Sequence, residues 1–211
     1  MVERYLRQSA LAHLGLDGRA RASRGEAGVA MAERPFPGIA DLRGKPADPG
    51  FTAAFEAAFG FALPLEPNTT AGGGGAIALW LGPDEWWIVT PGPGPEAGPG
   101  TVAKLRAALA GHVCAITDVS ETRTCIRVSG PGARAVLQKG CPLDFHPRVF
   151  TPGQCAQSHL AKAAVVLHLA GGEEADDGPA FDVYVPRSLA EYLWRWLEDA
   201  AREYGVAVVE G

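Results

Sequence analysis

The sequence predicts an α+β fold with largely antiparallel sheets and packed helices. Segments typical of strands occur in pairs with turn residues between them, rather than alternating strictly with helices. The last predicted helix has one apolar face, which is typical of a helix that packs on a sheet. The 211 residues, 47% of them hydrophobic, suffice for one good core or for two small lobes that share one.

The N-terminal quarter differs in composition from the rest. Residues 1–50 are rich in Gly, Arg, Ala and Pro with weak periodicity, so we expect an N-terminal arm or irregular lobe. Residues 51–211 are expected to form the α+β region, either as one body or as two sublobes sharing one core. A short helix is predicted over 53–59, ended by Gly60. The glycines at 72–75 lack the Gly-Lys-Ser/Thr of a phosphate-binding loop, which favours a hairpin turn into a strand.

The middle of the chain predicts a hairpin followed by a helix. Strands are expected over 77–81 and 85–90, joined by a Gly-Pro-Asp turn. The segment 91–100 is dominated by glycine and proline and is expected to be a surface loop. Helix 102–110 follows, with Thr101 as its N-cap.

The second half predicts two more helices among further strands. One helix spans 131–139, and the clearest helix spans 189–203, where Ser188 and Glu191 fit the pattern of a capping box. An acidic loop is expected at 171–179. The further strands are expected over 113–119, 124–129, 154–160, 164–169, 181–185 and 204–209.

Charge and hydropathy exclude several classes of function. The net charge is -5 and the basic residues are scattered, which argues against binding to nucleic acid or to an anionic membrane surface. No apolar run approaches the about 18 residues that span a bilayer. No secretion signal is recognisable, so we expect a cytoplasmic protein whose four cysteines are reduced.

The tryptophans suggest burial by more than one layer. Trp86 and Trp87 are neighbours in a predicted strand and therefore point to opposite sides of its sheet. Together with Trp80 they predict a sheet that is buried on both faces. Trp194 is expected on the charged side of the last helix, where a large aromatic is a candidate interface anchor. We hypothesise that another subunit buries at least one of Trp86, Trp87 and Trp194, which requires that the isolated chain leave it uncovered.

A polar group surrounds the turn between the strands 113–119 and 124–129. It comprises Asp118, Ser120, Glu121, Arg123 and Arg127. One interpretation is a cluster of surface ion pairs that contributes little stability. The other is a docking edge that fixes the register of a partner, with Glu121 and Arg123 as candidate interface residues.

The sequence contains no complete catalytic or metal-binding set. Cys141, Asp144 and His146 lie close together in a loop with two prolines, but neither an oxyanion hole nor an oriented base accompanies them, which favours a structural loop. The histidines lack the i, i+4 spacing of a helical metal site. We therefore assign no catalytic, cofactor-binding or metal-binding residue in this chain.

Three segments carry a resemblance to a known family. They are LGPDEWWIV (81–89), DVSETRTCIRVSGPGARAVLQKGCPLDFHP (118–147) and FDVYVPRSLAEYLWRWL (181–197). In content and order they resemble the gamma subunit of heterotetrameric sarcosine oxidase, and the match covers most of residues 77–205. More broadly, residues 126–145 are similar to a segment of the aminomethyltransferases, which include the glycine-cleavage T-protein. The fold is therefore expected to resemble part of the T-protein.

The resemblance implies a structural role in a large complex. In this family, alpha, beta, gamma and delta subunits oxidatively demethylate sarcosine to glycine, produce hydrogen peroxide and transfer the one-carbon unit to tetrahydrofolate. FAD, FMN and NAD belong to the alpha and beta subunits, and zinc belongs to delta. The gamma subunit contributes no established catalytic residue. The expected partners are thus the alpha, beta and delta subunits.

Two alternatives stay open at the level of sequence. The similarity over 126–145 is compatible with a freestanding folate-dependent aminomethyltransferase, although the chain is short for that family and offers no evident folate-clamping acid. A small folate-related binding module with an unrelated partner is also compatible with the residues.

Overall fold

The computed structural model of the chain describes residues 7–23, 27–90, 97–172 and 178–211. The chain forms two compact units. The first combines residues 1–35 with 123–211, and the second comprises 36–122. Each unit has one sheet and its own hydrophobic core. Residues 91–96 of the loop predicted at 91–100 and residues 173–177 of the loop predicted at 171–179 lie outside the described residues.

The first unit contains a six-stranded sheet in the order β11-β1-β7-β10-β9-β8. Its neighbours are antiparallel except for β1 and β11, which are parallel. The strands are β1 (Val29–Arg34), β7 (Arg123–Ser129), β8 (Cys155–Leu160), β9 (Ala163–Gly171), β10 (Ala180–Pro186) and β11 (Val206–Val208). The helices are α1 (Leu16–Ala22), α4 (Ala133–Gln138) and α5 (Ala190–Ala201).

The second unit contains a five-stranded antiparallel sheet in the order β3-β4-β5-β2-β6. Its strands are β2 (Gly38–Gly44), β3 (Thr70–Gly73), β4 (Ala76–Gly82), β5 (Glu85–Thr90) and β6 (Cys114–Asp118). Its helices are α2 (Pro49–Phe59) and α3 (Ala97–Ala108), which bury Phe51, Phe55 and Leu105 in the core of this unit. The α+β prediction with largely antiparallel sheets is confirmed.

The N-terminal region corrects the prediction of an irregular arm. Residues 1–50 include β1, which lies between β11 and β7, and β2, which lies between β5 and β6. The division into units also falls at 35 and 122, and not at 50. The reason is tertiary. Alanine and glycine interrupt the apolar pattern of the two strands, so their periodicity is weak, and their pairing with distant strands gives them order.

Local turn chemistry explains where two elements begin and end. Gly60 ends α2 with φ 78°, as predicted, while Asp48 accepts a hydrogen bond from Gly50 N at 2.9 Å and moves the start of the helix to Pro49. Gly74 and Gly75 have φ 57° and 83°, values that suit a two-residue turn of a tight hairpin between β3 and β4. The predicted hairpin turn is therefore present.

Three helical predictions required correction. Helix α3 begins at Ala97, and Thr101 donates to Ala97 O at 2.6 Å from within the helix instead of capping it. The predicted capping box of α5 is absent, because residues 187–189 form a 3-10 turn and the Glu191 carboxylate bonds to Arg195. Finally, α4 is shorter than predicted and spans Ala133–Gln138.

Candidate functional site

The most polar buried region of the first unit lies on the face of its sheet opposite the core. Arg127 of β7 is paired in register with Asp182 of β10. Its Nε and one terminal nitrogen donate to the two carboxylate oxygens of Asp182 at 2.8 and 2.9 Å. Arg34 of β1 approaches the same carboxylate at 3.5 Å. We call these three residues the ion-pair cluster.

The ion-pair cluster is stable because two guanidinium groups neutralise the buried carboxylate. Asp182 is only 5% exposed, and a buried carboxylate without a partner would be expensive. The bidentate geometry with Arg127 is the strongest arrangement available to such a pair. The cluster therefore fixes β1, β7 and β10 relative to one another on this face.

His168 of β9 lies beside the ion-pair cluster. It is paired in register with Asp182 and is 5% exposed. Its Nδ1 is buried and has no hydrogen-bond partner in the described part of the chain. Burial lowers the pKa of His168, with Arg127 lowering it further and Asp182 opposing both. The imidazole is consequently neutral at neutral pH.

Cys125 and Tyr184 lie on the other side of the ion-pair cluster from His168. They are paired in register across β7 and β10 and are almost fully buried. Burial raises the pKa of the Cys125 thiol and that of the Tyr184 phenol well above their ordinary values. Both groups stay protonated at neutral pH, and a protonated thiol is a weak nucleophile. Burial in this arrangement therefore opposes formation of a thiolate at Cys125 and of a phenolate at Tyr184.

The sequence prediction included Arg127 in a polar group but missed its partner. Asp182 was overlooked because it lies inside an otherwise apolar strand, FDVYV. A single charged residue within such a run signals a buried ion pair. Arg34 and His168 carried no comparable signal, since only the register of four strands brings them to Asp182.

The three candidate interface tryptophans are buried within the chain itself. Trp86 is 0% exposed and donates from Nε1 to Pro64 O at 2.8 Å, and Trp87 is 6% exposed on the opposite face of the sheet. The prediction of a sheet buried on both faces therefore holds. Trp194 is 0% exposed in the core of the first unit. The hypothesis requires that the isolated chain leave at least one of the three side chains uncovered, and all three are buried, so it fails for Trp86, Trp87 and Trp194.

The buried face of α5 explains the error at Trp194. Helical spacing predicts that Trp194 lies on the charged side of the helix, yet Trp194 is buried, and Tyr192, two positions before it, is 38% exposed. The buried positions are Ala190, Leu193, Trp194, Leu197 and Ala201. The buried stripe is thus rotated about the helix axis and includes the ring that was assigned to the charged side.

The polar turn after β6 is held by a serine. Ser120 Oγ lies 2.6 Å from Asp118 Oδ1 and accepts a hydrogen bond from Ile39 N at 2.9 Å. Glu121 is exposed in the same turn. Arg123 begins β7 and is half-buried, and burial lowers its pKa. The role of Glu121 and Arg123 at an interface stays a prediction.

The loop with Cys141, Asp144 and His146 does not form a catalytic trio. Cys141 Sγ contacts Ser158 Oγ at 3.5 Å, whereas Asp144 accepts a hydrogen bond from the backbone N–H of His146 at 2.8 Å. Buried Arg134 holds the loop by donating to Phe145 O at 2.6 Å and to Phe150 O at 3.1 Å. These contacts give the loop the structural role predicted for it.

Metal-ligand clusters and membrane-spanning helices are both absent from the described part of the chain. Within residues 7–23, 27–90, 97–172 and 178–211, no group of three or more His, Cys, Asp or Glu side chains is placed to hold a metal ion. In those same ranges, no helix is long and apolar enough to cross a membrane.

Comparisons with known proteins agree on one family. The model of the sarcosine oxidase gamma subunit family matches residues 43–203. The gamma subunit of sarcosine oxidase from Corynebacterium sp. (strain U-96) is 33% identical over 97% of this chain and 94% of its own length. The gamma subunit from Arthrobacter sp. is 34% identical over the same shares of the two chains.

Solved structures show the same relationship at the level of fold. A chain of the heterotetrameric sarcosine oxidase from Corynebacterium sp. U-96, determined in complex with pyrrole 2-carboxylate, superposes with a TM-score of 0.80 at 32% identity, covering 94% of this chain and 96% of that one. The glycine cleavage system aminomethyltransferase T from Bartonella henselae superposes with a TM-score of 0.63 at 16% identity, covering 93% of this chain and 51% of that one. The second likeness concerns the fold alone.

Proposed function

The chain belongs to the sarcosine oxidase gamma subunit family, and from that premise we propose that it is a structural, non-catalytic subunit of a heterotetrameric sarcosine oxidase. The observation that carries the proposal is the full-length match to a chain of a solved heterotetramer at a TM-score of 0.80. Its partners are the other subunits of a heterotetramer of this kind. We propose that these are alpha, beta and delta subunits.

We further propose that the chemistry is carried by those partners. The complete enzyme would oxidatively demethylate sarcosine to glycine, produce hydrogen peroxide and pass the one-carbon unit to tetrahydrofolate. FAD, FMN and NAD would be held by the alpha and beta subunits and zinc by delta. In this chain, the neutral His168 and the protonated Cys125 support a role without covalent catalysis. The cytoplasmic location expected from the sequence stays a prediction.

Reconstitution from separately purified subunits tests the proposal. We expect this chain alone to bind no flavin and to oxidise no sarcosine, and to co-elute with its partner subunits as one complex on size-exclusion chromatography. The complex without this chain should be incomplete or unstable. Robust amine oxidation or bound flavin in the isolated chain would contradict the non-catalytic role.

The fold likeness to aminomethyltransferase T supports one rival function. A freestanding folate-dependent aminomethyltransferase would bind tetrahydrofolate without partners. The chain covers 51% of that protein, which leaves such an enzyme without half of its relative's length. Calorimetric titration of the isolated chain with tetrahydrofolate separates the two. Tight binding favours the rival, or a folate-related binding module, over a purely structural subunit.

A further inference from the structure

Strand β6 forms one edge of the five-stranded sheet. Among the described residues it pairs with β2 alone, in an uninterrupted antiparallel register from Ala40 opposite Asp118 to Gly44 opposite Cys114. Natural edge strands are protected from further pairing by short length, charged side chains, a proline, a bulge or a covering segment. β6, with the sequence CAITD, is five residues long and has no proline, bulge or lysine. Its single charge, on Asp118, is already bonded to Ser120.

The hydrogen bonds around β2 determine which main-chain groups of β6 face outward. Val119 N donates to Ile39 O at 2.9 Å, so the N–H of residue 119 points toward β2. In an antiparallel ladder this direction alternates along the strand. The amides of Ala115 and Thr117 therefore point toward β2, and those of Cys114, Ile116 and Asp118 point away from it.

A second hydrogen bond gives the same assignment independently. Gly44 N donates to Asp84 O at 3.0 Å, on the side of β2 where β5 lies. The even-numbered residues of β2 thus bond toward β5, and the odd-numbered ones, including Asp41 and Arg43, bond toward β6. Their partners in register are Thr117 and Ala115. The outward N–H and C=O groups of β6 have no strand to pair with in the described part of the chain.

The side chains of β6 leave room for an incoming strand. Cys114 and Ile116 turn toward the core of the unit and pack against it. Ala115 and Thr117 are exposed on the opposite face, and Val113 just before the strand is 79% exposed. Small, uncharged side chains at an open edge permit close approach of a second backbone.

We propose that β6 is a strand-addition site, at which an extended segment of a partner subunit pairs with the outward main-chain groups of Cys114, Ile116 and Asp118. This inference rests on the proposed function, because it needs a partner subunit. Backbone hydrogen bonds require that segment to be extended, and the exposed Ala115 and Thr117 favour uncharged, small or β-branched side chains beside them. The resulting sheet would have six strands.

A pair of substitutions at one residue isolates the main-chain contribution. Ile116→Pro removes an N–H that points away from β2, so the ladder inside the chain is kept, and Ala115 already has the extended backbone that precedes a proline. Ile116→Ala loses the same packing but keeps the N–H. We expect the proline variant to bind the partner subunits about tenfold or more weakly than the alanine variant.

The outcomes of this comparison are distinct. Equal affinity of two folded variants overturns the strand-addition site and leaves the proposed function intact. Failure of the wild-type chain to bind its partner subunits contradicts the proposed function instead. Should Ile116→Pro not fold, Thr117→Lys places a charge on the exposed face of the edge and is expected to weaken assembly by a similar factor. Its matched control is Ala57→Lys, at an exposed position of α2.

Amide hydrogen exchange supplies a readout that folding alone does not change. In the isolated chain, the amides of Ala115 and Thr117 should already be protected by β2, whereas that of Ile116 should exchange rapidly. In the assembled complex, the Ile116 amide should become protected. Rapid exchange of Ile116 in the complex would overturn the proposal, as would its protection by homodimers of this chain at the same concentration.

Discussion

At the scale of single residues, the buried polar groups determine what this chain can do. Asp182 is enclosed in a sheet face and answered by Arg127 and Arg34, while the neighbouring imidazole, thiol and phenol are kept uncharged by burial. Such a set positions strands relative to one another. Burial lowers the pKa of His168 and raises that of Cys125, so neither group is charged at neutral pH, and a protonated thiol is a weak nucleophile.

Removal of the central carboxylate should destabilise the fold. Asp182→Ala leaves two guanidinium groups without their anion, and loss of one partner of a buried pair costs about 3–5 kcal/mol. We expect the lower end of that range, because Arg127 and Arg34 keep 32% and 34% of their side chains exposed. Urea denaturation at pH 7 measures the effect. Glu191→Ala, which removes the exposed contacts with Arg195 and His13, is the control and should change the free energy of unfolding far less. Equal losses would contradict the importance of the cluster.

The buried imidazole should make stability depend on pH. The folded-state pKa of His168 is lowered, so the unfolded chain binds the proton more readily. The contribution of neutral His168 to stability is complete above the pKa of an unfolded histidine, about 6.5, and is lost as the pH falls through that pKa toward the folded one. We expect the free energy of unfolding to decrease between pH 7.5 and 5.5 more steeply in the wild type than in His168→Gln. Parallel pH profiles would contradict this assignment.

At the scale of elements, local sequence signals predicted that a helix or turn is present better than they predicted its first and last residues. Gly60 and the glycine pair at 74–75 have backbone conformations that few other residues adopt, and both were identified from the sequence. The start of α3 at Ala97 was missed because Pro and Gly in its first turn are typical of loops. The buried face of α5 was predicted wrongly because aromatic residues occur on several sides of this helix, so they do not mark one face.

The orientation of α5 leads to a prediction that contrasts two aromatic residues. Trp194→Ala should cost about 3–5 kcal/mol, as expected for the truncation of a fully buried large side chain. Tyr192→Ala, on the same helix but 38% exposed, should cost much less. Thermal and urea unfolding of the two variants measure the difference. Similar losses would contradict the orientation of this helix.

At the scale of the whole molecule, the two compact units and their sheets match a subunit of a solved heterotetramer over almost the full length of both chains. The first unit is discontinuous in sequence, because residues 36–122, which form the second unit, lie between its two parts. The fold as a whole resembles that of aminomethyltransferase T.

Assembly should raise the stability of this chain. A partner that binds only the folded form stabilises it by about 2.7 kcal/mol when its concentration is 100 times the dissociation constant. We expect the melting temperature of the chain to rise on addition of partner subunits, and the rise to grow with their concentration. Hydrogen exchange of this chain, followed with and without partners, measures the effect independently. An unchanged melting temperature at saturating partner would contradict the proposed role.

The sequence by itself determined the fold class, the family and most secondary-structure elements, because periodicity, turn glycines and the long segment 118–147 are local signals. Only the tertiary structure decided the burial of Trp194, the places of β1 and β2 inside two different sheets, and the meeting of Arg34, Arg127 and Asp182. These features depend on strand register between segments far apart in the chain. A shift of register by one residue turns every side chain of a strand to the other face of its sheet, and strands that are far apart in the chain have no short turn between them to set that register.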